Sequence, residues 1–149
     1  MTIWTPERQA LAIAEAHSWI GTRWRHWQSV KGRGVDCVHF VVAVVRAAGL
    51  LPDTFTVPSY ARNVGMWEKS DGIADAIRAC PGVMVANVSL DAVEFGDVLV
   101  FQDGDCSSHV AILLADGLLW HSLSGTGVVN GQFKFWRSRL KEAFRITQI

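Results

Sequence analysis

The stretch Asp36-Cys37-Val38-His39-Phe40-Val41-Val42-Ala43-Val44-Val45-Arg46-Ala47-Ala48-Gly49 decides the fold. Its five valines favour a strand by propensity. Length argues the other way, because the run from Cys37 to Ala48 exceeds an ordinary strand and Gly49 is a good helix stop. Asp36 is a strong N-cap. The stretch therefore predicts a helix starting at Cys37, apolar on every side and for that reason buried.

Upstream, Thr5-Pro6-Glu7 has the order of a helix start: a capping hydroxyl, a proline in the first turn and an acid at the positive end. Apolar residues then recur through Leu11, Ala14 and Trp19 until Gly21. Residues 21–36, with five Gly, Ser or Thr among Arg, Trp and His, read as an irregular loop. Downstream, Pro52 and Pro58 mark a surface excursion over 50–65, and a helix is expected over about 63–79 before Pro81-Gly82. From there the pattern turns to strands, at 83–88, 97–101, 109–114, 118–122 and 144–148. Helices first and strands second predict an α+β chain. We expect a single domain over 1–149, with the buried central helix on an antiparallel sheet of about five strands.

Composition narrows the function. Half of the 149 residues are hydrophobic and 19% are charged, which excludes a disordered chain. Fourteen basic residues balance fourteen acidic ones, so no electrostatic force draws the chain to nucleic acid or an anionic membrane. No apolar run reaches the roughly 18–20 residues that span a bilayer. The start, Met1 to Arg8, lacks a signal-peptide layout. Three cysteines, Cys37, Cys80 and Cys106, are too few and odd for a disulfide framework. A reduced protein made in the cytoplasm is expected, with Cys80 structural and Cys106 structural or incidental.

A lone Cys in an apolar segment is most often a small buried hydrophobe. Cys37 stands instead at the first turn of a helix, where unpaired N–H groups and the dipole stabilise a thiolate. Gly32-Arg33-Gly34 before it would leave room above the sulfur. This makes Cys37 a candidate nucleophile of lowered pKa, and a nucleophile needs a base and an orienting group. His17 lies in the first helix, and His39 points about 200° away from the thiol. His109 and His121 flank Ala115-Asp116-Gly117. A three-residue loop with Gly117 in the left-handed region sets His121 opposite Ala111 and diagonal to His109, roughly 5–8 Å away on the same face. The same register gathers Val110, Ile112, Leu114, Leu118 and Trp120 on the other face, which selects it. Ser107, Ser108 and Ala111 are small enough to leave the histidine face open.

At these residues the chain resembles the NlpC/P60 family of papain-like cell-wall cysteine peptidases. The first family motif matches Gly34-Val35-Asp36-Cys37, and the second matches Gly96-Asp97-Val98-Leu99-Val100-Phe101 with Ser108-His109-Val110-Ala111-Ile112. The third polar residue matches His121 in Leu119-Trp120-His121-Ser122. The run Trp19 to His26, with Lys31-Gly32, is most similar to the phage-tail and gene-transfer-agent branch. The resemblance implies Cys37 as nucleophile, His109 as base and His121 as orienter, without metal or cofactor, with the Cys37 N–H in the oxyanion hole. Trp24, Arg25, His26, Asp36 and Ser108 are implied at the substrate, with Arg23 and Arg33 also available for a carboxylate. The implied partners are peptidoglycan stem peptides, cut between D-glutamate and a diamino acid, together with phage-tail or secretion-apparatus proteins. The implied site of action is the cell wall, reached within a particle, by lysis or by a dedicated secretion route. Two departures stand out: Val38-His39 follows the Cys where Ser-Gly is common, and Trp24 replaces the usual Tyr. Segment 51–95, longer than the family core needs, is expected to shape the substrate groove.

Other readings compete. Cys106, His109 and His121 have zinc-like spacing, but no second Cys/His pair exists and the Cys37 junction is left unexplained. Keeping the fold, the alternatives are a secreted toxin amidase, a thioester-type acyltransferase, or a non-catalytic tail-tip assembly module.

Overall fold

The computed structural model describes residues 3–57, 72–78, 84–103 and 106–148. Helix α1 is Pro6–Ser18, capped by the Thr5 hydroxyl, which accepts from the Arg8 N–H. Its buried residues are Ala12 and Ala16, followed by Trp19, whereas Leu11 is 52% exposed. The packed face is therefore shifted from the expected Leu11–Ala14 stripe. Small alanines let α1 lie close against its neighbour, and a leucine would hold it off.

That neighbour is helix α2, Cys37–Ala47, with Asp36 as its N-cap. Helix length and capping overrule valine propensity here, as the sequence predicts. Phe40 and Val44 are fully buried, and Cys37, Val41 and Val45 nearly so. Burial covers one broad face rather than every side. On the outer side Arg46 donates to the Phe55 carbonyl at 2.7 Å.

The loop 21–36 contains one small ordered ribbon, β1 (Ser29–Val30) against β2 (Gly34–Val35). Helix α3, Gly72–Arg78, falls inside the helix expected over 63–79, whose remaining residues lie outside those described. So does much of segment 51–95. The main sheet has six antiparallel strands in the order β3 (Met84–Asn87), β8 (Leu140–Gln148), β4 (Val98–Asp103), β5 (Cys106–Ala115), β6 (Leu118–Leu123) and β7 (Gly127–Gln132). Five of these were anticipated. The sixth, β7, carries two glycines and little apolar alternation, and it is held by backbone pairing to β6 from Leu118↔Gln132 to Leu123↔Gly127.

Both faces of the sheet are covered. On one side Val98, Val100, Val110, Ile112, Leu114 and Trp120 pack with the helices. On the other, Leu99, Phe101, Ala111, Leu113 and Leu119 pack beneath Leu90, Val93, Phe133 and Trp136. The histidine face is thus partly roofed: His121 is buried, and His109 stays half-exposed. Its roof comes from chain segments whose sequence lacks regular periodicity.

One buried charge fixes the sheet's mouth. Asp97 is fully buried and receives Arg145 Nε at 2.9 Å and Nη2 at 2.8 Å, while the Glu94 N–H donates to it at 2.8 Å. Removing the guanidinium would strand a buried carboxylate. Arg145→Met should lower unfolding stability by about 2–3 kcal/mol, the moderate figure reflecting Arg145's partial exposure. Urea denaturation checks this, and an unchanged midpoint would contradict it.

Candidate active site

The β5–β6 hairpin carries the two histidines, and its register is the one expected: Ile112↔Trp120 and Leu113↔Leu119. The closing differs in detail. Ala115 pairs with Leu118 after a bulge between Leu113 and Ala115, so the extra residue sits in the strand rather than in a three-residue loop. Gly117 has φ 70°, the left-handed value that the turn requires.

In consequence His109 Nε2 and His121 Nδ1 lie 2.9 Å apart and share a hydrogen bond. One of the two nitrogens must carry the proton. With it on His109 Nε2, that ring donates to His121 and presents a bare Nδ1 lone pair, the form a base needs. Trp136 closes over the pair, its ring 5.7 Å from that of His109 and 4.9 Å from that of His121. Phe101 stacks on His109 at 6.0 Å and also meets Trp136 at 5.5 Å, so the three rings form one cluster. Neither aromatic was among the expected site residues; their only sequence signal was their number in a short chain.

Cys37 opens α2 on the helix-covered side and is 8% exposed. Backbone N–H groups of Val110, Val38 and Cys37 itself face its sulfur. Val110 follows His109 directly in β5, so the thiol faces the backbone of the residue next to the histidine pair. A buried tether holds this junction. The Ser122 hydroxyl, next to His121, donates to the Val35 carbonyl at 2.7 Å, two residues before Cys37. A second tether runs from the Val128 N–H to the Thr22 carbonyl at 3.0 Å. There Gly127, at φ 92°, is pressed against the Thr22 carbonyl so closely that a Cβ would strike it.

The other expected residues divide. Trp24, Arg25 and His26 lie on the strip paired with Val35, where the Arg23 carbonyl accepts the Val35 N–H at 2.9 Å. The side chain of Arg25, with that of Gln28, occupies the space a Cβ on Gly34 would need. Gly34 thus makes room for its own loop rather than for a ligand above the sulfur. Arg23 and Arg33 are exposed. Asp36, expected at the substrate, is 1% exposed. Its carboxylate accepts the His39 N–H at 2.8 Å, the Trp27 N–H at 2.8 Å and meets His39 Nδ1 at 2.9 Å. It is committed to the scaffold, and it also engages His39. Ser108 lies in β5 beside His109, with its side chain outside the described set; Cys80 is outside it altogether. His17 sets its ring edge-to-face on Trp120 at 4.8 Å. Among the described residues, no group of three or more His, Cys, Asp or Glu is placed to hold a metal ion.

Electrostatics correct one expectation. The thiol is not lowered: burial pushes it up to about 12, with Asp36 adding to the rise, against the smaller opposing effect of the N–H groups around it. Burial pushes His109 down to about 3, assisted by His121 and Arg139, and His121 down to about 4. The Cys37 thiol and both imidazoles are therefore neutral at rest.

The chain belongs to the NlpC/P60 family. The family's sequence profile matches residues 21–145. Solved structures share the fold. An NLP/P60-family protein similar to a lipoprotein from Staphylococcus aureus superposes with a TM-score of 0.65 at 20% identity, over 97% of this chain and 43% of that one. The NlpC/P60 domain of the peptidoglycan hydrolase SagA gives 0.57 at 22% identity, over 94% and 98%. The peptidoglycan hydrolase RipB from Mycobacterium tuberculosis gives 0.56 at 15% identity, over 93% and 63%. No curated protein sequence matches the chain. The chain spans under half of the S. aureus protein and nearly all of the SagA domain.

Two outcomes follow from the neutral thiol and imidazoles. Both histidines have pKa values below the ordinary 6.5, so protons bind the unfolded chain more readily than the folded one. Their contribution to stability is complete above pH 6.5 and declines as pH falls toward 4 and 3. The melting temperature should therefore drop below pH 6.5, and His109→Asn should flatten that drop; an equal slope in the variant would contradict it. In addition, Cys37 should alkylate with iodoacetamide more slowly than a free thiol at pH 8, with the rate still rising beyond pH 10. A plateau near pH 6, measured by peptide mapping, would contradict the raised thiol.

Proposed function

We propose that this chain is a cysteine endopeptidase that hydrolyses an amide bond in peptidoglycan stem peptides, between D-glutamate and a diamino acid. The observation that carries the reading is the His109–His121 hydrogen bond at the strand residue adjoining Val110, whose N–H faces the Cys37 thiol. Family membership and the printed names of SagA and RipB as peptidoglycan hydrolases support the substrate class.

In the proposed reaction Cys37 Sγ attacks the amide carbon as its proton passes to His109 Nδ1. Because thiol and imidazole are both neutral at rest, proton transfer and attack belong to one step. His121 accepts from His109 Nε2 and steadies the imidazolium that forms. The oxyanion takes a hydrogen bond from the Cys37 N–H at the start of α2. Collapse breaks the C–N bond, and His109 returns its proton to the leaving amine. Water, deprotonated by His109, then cleaves the thioester and restores the thiol. No metal or cofactor enters this scheme.

The proposal extends to setting. The likeness of residues 19–32 to the phage-tail and gene-transfer-agent branch supports synthesis in the cytoplasm and delivery to the cell wall within a particle.

Purified muropeptides incubated with wild type should release fragments whose masses identify the D-glutamyl–diamino acid bond, and Cys37→Ala should release none. Equal fragments from both would remove Cys37 from the chemistry, and amine-exchange products in place of hydrolysis would favour an acyltransferase. His121→Ala should reduce kcat by about 10²–10⁴-fold with KM little changed, as expected for loss of base orientation. A change confined to KM would contradict that role.

A further inference from the structure

The segment joining β7 to β8 folds as two short 3-10 turns, Phe133–Phe135 and Arg137–Arg139, and it supplies the roof over the histidine pair. Three of its cations have distinct surroundings. Lys134 lies over the exposed Phe135 ring at 5.1 Å. Arg137 is ion-paired with Asp91 and also donates to the Leu90 carbonyl, which ties the roof down. Arg139 lies over the Trp136 ring at 5.2 Å, and among the described residues no carboxylate pairs with it.

Arg139 is exposed, yet its position is set by the chain. Its N–H donates to the Trp136 carbonyl at 3.0 Å, and the next residue, Leu140, is buried as β8 begins. Trp136 in turn packs against His109 at 5.7 Å between ring centroids, so the same indole touches both the guanidinium and the imidazole. The Arg139 charge opposes protonation of His109. A fixed cation beside a group that must become an imidazolium works against the reaction unless an anion neutralises it. Stacking on an indole face leaves the guanidinium's edge N–H groups free for a planar anion.

We propose that Arg139, carried on Trp136, is a substrate-binding residue that receives a carboxylate of the stem peptide next to the scissile bond. This inference rests on the peptidase reading above. It gives the roof a task beyond covering the histidine pair. The bound carboxylate cancels the Arg139 charge, and His109 gains basicity only when the correct substrate is in place.

The test separates the two readings. The probes are the tripeptide L-alanyl-γ-D-glutamyl-L-lysine and its counterpart with the glutamyl α-carboxylate converted to an amide. Binding to the Cys37→Ala protein is followed by the Trp136 indole N–H resonance, which requires no hydrolysis. The acid should bind about tenfold more tightly than the amide, the amount one charge-assisted hydrogen bond supplies. Arg139→Gln should abolish that preference, and Arg139→Lys should retain part of it. Equal affinities for acid and amide, a preference that survives Arg139→Gln, or no indole shift with either peptide would overturn the proposal. Parallel incubation of wild type with both peptides identifies which reading failed. Cleavage without an acid preference leaves the peptidase reading and removes Arg139. An acid-selective indole shift without cleavage leaves the anion site and removes the peptidase.

Discussion

Hairpin register is the constraint on which the site depends. Strand side chains alternate faces, so a slip of one residue between β5 and β6 would send His121 to the helix side and separate it from His109. The observed pairing of Ile112 with Trp120 instead puts Val110, Ile112, Leu114 and Trp120 into one core and leaves the two histidines bonded at 2.9 Å on the other face. The apolar residues thus hold the polar pair in place. The bulge before Ala115 and the left-handed Gly117 let the strands close in that register.

Long-range hydrogen bonds transmit the register to the cysteine. Ser122 reaches from the strand of His121 to the Val35 carbonyl, and Asp36 caps α2 while gripping the backbone at Trp27. These bonds fix the start of α2 against β6 and the preceding loop. The roof of Trp136 on the far face then leaves His121 buried and His109 half-buried. Burial explains the neutral charge state of these three groups: an isolated thiolate or imidazolium has too little solvation here.

Much of this was legible in the sequence, for identifiable reasons. The Asp36 cap and Gly49 stop reveal α2 despite its valines, and the apolar alternation around Trp120 fixes the histidine register. What escaped was nonlocal. Strand β7, with its two glycines, exists because β6 offers an unpaired edge, and the Trp136 roof comes from 3-10 turns without periodicity. The raised Cys37 pKa escaped because a helix start read in isolation predicts a lowered one, whereas burial against β5 reverses the sign. Asp36 was expected at the substrate, yet its bonds to Trp27 and His39 depend on how the loop folds.

The claim at the centre is a neutral histidine pair polarised for proton acceptance. The direct measurement is 15N NMR of the imidazoles of unliganded wild type between pH 5 and 7. His109 should show a protonated Nε2 and a bare Nδ1, and His121 should remain neutral, with both unchanged across that range. An imidazolium signal for His109, lost on Cys37→Ala, would mean a resting thiolate–imidazolium pair and would contradict the account.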